Sequence, residues 1–369
     1  MFTNNSTAMK IVIPGGSGQV GTVLARAFHA AGDEVVVLSR RSDVRPWRVV
    51  TWDGRTPGDW RREIDGCDVV VNLAGRSVNC RYGEANRREI LESRTVSTRV
   101  VGQVIADALR PPAVWLQAST ATIYAHRYDA PNDESSGILG GGEPGAPSTW
   151  TFSIDVARAW EETFDAAVTP RTRKVALRSA MTLSPDRGGV FDTLLALVRR
   201  GLGGQAGDGR QFISWIHYED FVDAVRWLIG RDHFTGVVNV AAPQPLPNAE
   251  FMRRLRRAWG ARFGLPAAKW MLEIGALFMQ TETELILKSR RVVPARLLED
   301  GFRFQFPAWD EAARDLCRQW RTVNERRRST ASREDRLAGA SSGSASTGDR
   351  GAASSPVLPR SRASDRDKS

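Results

Sequence analysis

Short apolar runs bounded by turn residues alternate with amphipathic stretches through the first half of the chain. Lys10–Pro14, Glu34–Ser39, Arg48–Trp52, Asp68–Asn72, Ala113–Ser119 and Lys174–Ala180 are apolar or β-branched over most of their length, which predicts strands buried on both faces. Between them, helical spacing marks Val20–Ala31, then Glu84–Leu109 with Ile90, Val100, Val101, Val104, Ile105 and Ala108, then Ile154–Val168. Strands alternating with helices predict an α/β fold, a Rossmann-type doubly wound parallel sheet. Right-handed crossovers put the carboxyl ends of such strands on one edge. The loops after Pro14, Ser39, Trp52, Asn72, Ser119 and Ala180 are therefore expected to meet around one ligand.

The pattern changes at Ser184, where glycine pairs flank the helical stretch Phe191–Arg200. Phe212–Ile216, the helix Tyr218–Gly230 and Gly236–Val240 are expected to return to the sheet. Asn248–Trp259, Ala267–Phe278 and Glu311–Trp320 read as helices of a smaller, mostly helical C-terminal substrate lobe. The expected division is a Rossmann-type sheet domain over 9–183, rejoined by 210–242, and a lobe built from 184–209 and 243–323. Residues 324–369 are Ser, Gly, Ala, Arg and Asp with few large apolars, too little to offset the entropy of ordering, so a disordered tail is expected there.

Composition narrows the class. A hydrophobic content of 41% over 369 residues supports a real core. The net charge of +10 includes ten Lys/Arg against six Asp/Glu in residues 325–369, leaving +6 spread among interleaved acids elsewhere. No basic stripe studded with aromatics emerges, so nucleic-acid binding ranks last among the readings. Cys67, Cys80 and Cys317 stand without CxxC pairs or nearby histidines, which argues against a disulfide framework or a metal site. No apolar run reaches the roughly 18 residues that span a bilayer, and no leader pattern is visible, so a cytoplasmic protein without membrane contact is expected.

The densest signal is Lys10-Ile-Val-Ile-Pro-Gly-Gly-Ser-Gly-Gln-Val-Gly21, an apolar strand running through a glycine turn into a helix. Gly16, Gly18 and Gly21 satisfy GxGxxG, and Gly15, Gly18 and Gly21 the related GxxGxxG. With Ser17, Gln19 and Val20 they make a cradle for a pyrophosphate at a helix N-terminus. The second strand ends Leu38-Ser39-Arg40-Arg41, without the carboxylate that accepts from an NAD ribose. Forked donors on Arg40 and Arg41 suit a 2′-phosphate, which favours NADP(H), although Asp43 stands nearby. Asp53 either meets the adenine or merely forms a turn. Leu73-Ala74-Gly75 after Asn72 is small enough to let backbone lie along the cofactor.

These residues resemble the extended short-chain dehydrogenase/reductase superfamily, in its NAD(P)-dependent epimerase/dehydratase branch. The likeness extends through Ser119-Thr-Ala-Thr-Ile-Tyr124, Ser214-Trp-Ile-His-Tyr-Glu-Asp220 and Gly236-Val-Val-Asn239. Lys288-Ser-Arg-Arg-Val-Val-Pro-Ala-Arg-Leu-Leu-Glu-Asp-Gly-Phe-Arg-Phe304 is similar to the signature of an atypical subgroup with a small C-terminal domain of unknown function. The resemblance implies a Tyr-x-x-x-Lys pair for proton exchange with the substrate hydroxyl, yet this chain lacks one. Its tyrosines are Tyr82, Tyr124, Tyr128 and Tyr218, and Lys174 is the sole lysine between 129 and 217. Matching Trp160-Glu161 to the family pattern puts Ser153 and Ala157 at the two positions.

The same resemblance places Thr120 at a substrate-orienting Ser/Thr position and Arg94 where an active-site Asn usually stands. Arg94 follows Ile90 by one turn, on the apolar face of its helix, and a buried guanidinium needs an anion. That anion is a cofactor phosphate, a substrate carboxylate or phosphate, or an internal carboxylate. Tyr124, with Tyr128 and His126, is the candidate replacement proton donor, or else packs beneath the site. Cys80 and Arg81 are placed to reach the nicotinamide, unless Cys80 is inert packing; His217 and Asp220 read as supporting groups at a helix start, and Gly140–Gly142 before Pro144 as either a flap over the substrate or a plain surface loop. The function expected is an NADP(H)-dependent oxidoreductase or epimerase-like enzyme for a small carbonyl or sugar-type substrate, with a homodimer as the family analogy. The alternative is a non-catalytic NADP(H)-binding redox sensor or scaffold.

Overall fold

The computed structural model describes residues 8–143, 147, 150–267 and 284–325. Residues up to Arg321 form one compact unit and Thr322–Ser369 a second, of which 322–325 are described and helical. The expected helix Ala267–Phe278 beyond its first residue, Pro144 of the expected flap and the expected tail from 326 onward lie outside the described residues.

Seven strands make the central sheet: β1 (Lys10–Pro14), β2 (Glu34–Ser39), β3 (Arg48–Thr51), β4 (Val69–Asn72), β5 (Val114–Thr120), β6 (Arg173–Ser179) and, later in the chain, β10 (Gly236–Val240). Their order is β10-β6-β5-β4-β1-β2-β3 and every pairing is parallel. All carboxyl ends therefore share one edge, with the order reversing beside β1, the position where this class of sheet opens a crevice.

Helices cover both faces because neighbouring strand residues point to opposite sides. On one face Ile11, Ile13, Val35, Val37, Val69 and Val71 pack with Phe28 of α1 (Gln19–Ala30) and with Phe221, Val225 and Leu228 of α6 (Tyr218–Ile229). On the other, Val12, Val36, Leu38 and Val70 meet Val100, Val101, Val104 and Ile105 of α3 (Glu84–Asp107) and Phe164 of α4 (Thr151–Asp165). Each such fully buried side chain contributes about 1.5–3 kcal/mol of transfer free energy, so the strand runs form a core before any polar contact is counted. Lys174, the lysine of β6, donates to the carbonyls of Phe164, Asp165 and Ala167 at the end of α4 and so caps that helix.

A third cluster joins Leu183 of β7 (Met181–Leu183), Phe191, Leu195 and Val198 of α5 (Val190–Arg199), Phe251, Met252 and Leu255 of α7 (Asn248–Trp259), and Trp309 and Leu316 of a helix that begins at residue 309. Phe251 and Trp309 stack face to face with centroids 4.1 Å apart.

One expectation is corrected here. Phe212–Ile216 does not rejoin the main sheet: it divides into β8 (Phe212–Ile213), paired with β11 (Leu246–Pro247), and β9 (Trp215–His217), paired with β7. The break falls at Ser214, whose hydroxyl donates to the Arg290 carbonyl and accepts from the Val292 N–H. A polar side chain that bonds backbone 76 and 78 residues away interrupts what reads locally as one apolar strand.

His217 closes β9 and caps α6, its Nδ1 accepting from the Glu219 N–H, with Nε2 3.2 Å from Asp315 Oδ2. Burial under Phe306 and Tyr218 pushes its pKa down to about 4. Because the folded value lies below the unfolded one of roughly 6.5, the unfolded chain binds the extra proton, and stability is lost as pH falls through that interval. Urea unfolding of wild type is expected to lose more stability between pH 6.5 and 4 than unfolding of His217→Asn; equal losses would assign the acid sensitivity to other groups. Asp220, one turn into α6, accepts the N–H groups of Gln305 and Phe306, and burial lifts its pKa to about 6.

Candidate functional site

The glycine turn divides its labour residue by residue. Gly15 has φ +72°, donates its N–H to the Leu38 carbonyl at 2.9 Å, and a Cβ there would lie 2.5 Å from the Ala74 Cα. A Cβ on Gly16 would strike the Ile13 side chain at 2.8 Å, and one on Gly21 the Gly16 Cα at 2.4 Å. Those three glycines are required by packing of strand, turn and helix on one another. Gly18 is different: nothing lies within 4 Å of its missing Cβ. It is the N-cap of α1, and neither a capping side chain nor an acid occupies that end, so the first-turn N–H groups face outward for an anionic oxygen. The sequence-predicted pyrophosphate cradle fits what the turn leaves open.

Around that cradle, Ser17 is exposed, Val20 packs at the edge of the core, and Gln19 donates to the Ser184 hydroxyl at 2.9 Å. Arg26 and Ser184 both bond Asp186, so the start of α1 is tied to the loop after β7. Arg40 and Arg41 are exposed at the end of β2, and neither has a carboxylate partner among the described residues. Asp43, the nearby acid, is taken by Arg45 at 2.7 Å. Asp53 is exposed and spends both oxygens on its own turn, accepting from the N–H groups of Arg55 and Thr56 and from the Thr56 hydroxyl; those bonds hold its pKa below the ordinary value. Leu73 and Ala74 follow β4, anchored by Leu73 N–H to the Pro14 carbonyl and Ala74 N–H to Asn72 Oδ1.

Gly75 leads to Arg94. A Cβ on Gly75 would lie 3.2 Å from the Arg94 Cζ, so the guanidinium rests on the loop after β4. Arg94 donates to the Ile90 carbonyl at 2.9 Å and lies 5.0 Å from the Trp160 ring centroid of α4. Burial pushes its pKa down to about 10, and no carboxylate among the described residues lies within ion-pair distance. The internal ion pair left open above is thus not formed among the described residues. Cys80 is half-buried nearby, whereas Cys67 and Cys317 are buried thiols whose pKa is pushed up to about 12.

Thr120 ends β5, half-buried, its Oγ1 accepting from the Thr122 N–H at 3.1 Å. That bond uses a lone pair and leaves the hydroxyl hydrogen to donate. Tyr124 is placed otherwise. Its hydroxyl accepts from Arg178 at 3.0 Å and donates to Asn239 Oδ1 at 2.9 Å, with the ring fully buried. Burial raises its pKa, the opposite of what a proton-exchanging phenol needs. Arg178 in turn makes a two-pronged pair with Glu161, which also accepts from the Ser119 hydroxyl. Tyr124 therefore belongs to a buried network behind the strand ends. It is separated from His126, which stacks edge-on against Tyr128 and Trp150 and accepts from the Ser289 N–H.

Residues 284–292 enter the site unforeseen by the sequence reading, which gave no role to any of their side chains. Ser153, at the position of the missing tyrosine, donates to Glu284 Oε2 at 2.6 Å. Lys288 is buried, donates to the Thr122 carbonyl at 2.8 Å and lies 3.9 Å from Glu284; burial pushes its pKa down to about 8. Arg290 donates through Nε to the Thr122 hydroxyl at 3.0 Å, and burial lowers its pKa as well. The available signal was a Lys-Ser-Arg-Arg run directly before Val292-Val293, basic residues leading into a segment that must be buried.

Comparisons with known proteins show what family and fold the chain shares. The profile of the NAD dependent epimerase/dehydratase family matches residues 11–241, and that of a domain of unknown function, DUF1731, matches residues 267–316. The chain is 31% identical over 313 residues to the human epimerase family protein SDR39U1, covering 84% of this chain and 99% of the relative. It is 28% identical over 322 residues to the epimerase family protein YfhF of Bacillus subtilis (strain 168), covering 85% and 100%. Among solved structures, that of human SDR39U1 (isoform2) with NADPH superposes with a TM-score of 0.73 at 29% identity, covering 84% of this chain and 99% of that one. No described helix is long and apolar enough to cross a membrane.

Proposed function

Since the chain belongs to the NAD dependent epimerase/dehydratase family, we propose that it binds NADP(H) and acts as an oxidoreductase or epimerase-like enzyme on a small carbonyl or sugar-type compound. The observation that carries the choice of coenzyme is the end of β2, where Arg40 and Arg41 have no acid partner among the described residues and Asp43 is already held by Arg45. The NADPH in the structure of human SDR39U1 supports the same choice.

When bound, the nicotinamide supplies the hydride chemistry. The chain supplies the rest. First-turn N–H groups of α1 hold the pyrophosphate, Arg40 and Arg41 grip the 2′-phosphate, and the Leu73–Gly75 backbone lines the path toward β4 and β5. Thr120 donates its remaining O–H to the substrate oxygen and polarises it. The bonds of the Tyr124 hydroxyl to Asn239 and Arg178 and its raised pKa support a structural role for it.

Fluorescence titration is expected to show NADPH binding preferred over NADH. In the Arg40→Ala/Arg41→Ala double variant, NADPH affinity is expected to fall about 10–100-fold with NADH affinity unchanged, the loss of one or two charge-assisted contacts. An unchanged preference would refute the phosphate assignment. A screen of aldehydes, ketones and quinones for NADPH oxidation then tests turnover, and tight binding with no turnover across the screen would leave the sensor reading in its place.

A further inference from the structure

Three cations, Lys288 buried and Arg94 and Arg290 half-buried, lie beyond the ends of β4 and β5, and they come from opposite ends of the sequence. Arg94 is contributed by α3, and Lys288 and Arg290 by the segment after the one-turn helix Glu284–Leu287. Arg94 and Arg290 both reach α4: Arg94 lies over the Trp160 ring, and Glu284, whose carbonyl accepts from Arg290 Nη2, takes the Ser153 hydroxyl on its carboxylate. Glu284 answers Lys288 and Arg290, and Glu143 acts on Lys288 from farther away while spending its carboxylate on the N–H groups of His126, Gly141 and Gly142. Nothing among the described residues answers Arg94. One of its five N–H donors goes to the Ile90 carbonyl, and the indole of Trp160 offers a cation–π contact of about 0.5–2 kcal/mol. A half-buried guanidinium with no described counter-ion has donors left for an anion.

Arg94 still keeps some exposed surface, so a ligand can reach it. Its place also separates it from the coenzyme's phosphates. In the strand order Arg40 and Arg41, which would hold the 2′-phosphate, follow β2, and the end of α1 that would hold the pyrophosphate follows β1. Arg94 rests on Gly75 after β4, on the other side of β1, the side on which a bound nicotinamide would meet its substrate.

We propose that Arg94, with Arg290 of the C-terminal segment, is a receptor for a carboxylate or phosphate group on the substrate, so that the compound turned over is a small anionic carbonyl or its alcohol. The planar fork of Arg94 matches either oxyanion, and Arg290 and Lys288 provide the surrounding positive potential. The C-terminal segment thereby acquires a role: it completes the substrate site of a chain that lacks the customary Tyr/Lys pair. The word substrate rests on the oxidoreductase reading above; the anion site itself does not.

The test is calorimetry with protein first saturated with NADPH, so that coenzyme phosphate sites are filled, then titrated with inorganic phosphate and separately with oxalate. Wild type is expected to bind at least one of the two, and the tighter identifies the group. Arg94→Gln is expected to weaken that binding at least 10-fold while leaving NADPH affinity within twofold. Arg94→Lys, which keeps the charge and loses the fork, is expected to fall between them and covers the case in which Arg94→Gln does not fold. Absence of oxyanion binding by NADPH-loaded wild type, unaltered binding in both variants, or a loss of NADPH affinity in their place would overturn the proposal. If wild type does not bind NADPH, the coenzyme reading fails by itself. The same titrations on coenzyme-free Arg40→Ala/Arg41→Ala protein, with and without Arg94→Gln, then still decide the anion site.

Discussion

Glu161→Ala is expected to destabilise the protein by about 3–5 kcal/mol, a large fraction of the total stability of a domain. The reason is the charge it abandons. The side chains of Arg178 and Glu161 are 9% and 12% exposed, joined by Nε–Oε1 and Nη2–Oε2 bonds of 2.8 and 2.7 Å. Without the carboxylate, Arg178 keeps the Tyr124 hydroxyl as its described polar partner, and Ser119 loses its acceptor. Removing one member of a buried pair costs far more than the pair contributes, so Glu161→Leu/Arg178→Met is expected to be markedly milder than the single variant. Urea denaturation with linear extrapolation measures both. A single-variant cost under about 1 kcal/mol would mean that water reaches Arg178 and that the network does not hold the ends of β5 and β6 in place.

Gly21→Ala and Gly18→Ala are expected to separate folding from binding within one turn of helix. At Gly21 the new methyl would meet backbone of Gly16 at 2.4–2.6 Å, which cannot yield as a side chain can. A loss of about 1–3 kcal/mol is expected, with NADPH binding lost as the turn distorts. At Gly18 the methyl meets no protein atom, and the backbone there, φ −72° and ψ 176°, suits any residue. Stability should change by less than about 1 kcal/mol, the range for exchanging glycine and alanine at an N-cap. NADPH affinity should nevertheless drop at least about 10-fold, because the methyl occupies the approach of the pyrophosphate. Thermal unfolding and fluorescence titration of the two purified variants give the comparison. Wild-type affinity in Gly18→Ala would remove the pyrophosphate from this helix end.

The elements and the glycine turn were legible because each depends on residues close together in the chain. β2, α7 and β10 run over the same residues that their apolar spacing marks, and β1, β4 and β5 are within a residue of their expected ends. The burial of Arg94 followed from its place one turn after Ile90. That no described carboxylate pairs with it did not, since that depends on which residues of α4 and of the C-terminal segment come near. Tyr124 illustrates the same limit. An aromatic at a strand end is legible as either packing or chemistry, and the partners that decide between them, Arg178 and Asn239, lie 54 and 115 residues away.

By itself the sequence determined a parallel sheet with one functional edge, a nucleotide cradle at the first turn, arginines in place of an acid after the second strand, and the loss of the customary proton-relay pair. The tertiary structure alone decided that Ser214 splits an apolar run between two small ladders, that Tyr124 is sealed into a network, and that Lys288 and Arg290 arrive beside Thr122. The physical reason is range. Strand and helix periodicity express which face of a local segment avoids water, whereas the neutralisation of a buried charge depends on whatever distant segment is packed against it, and no local spacing encodes that neighbour.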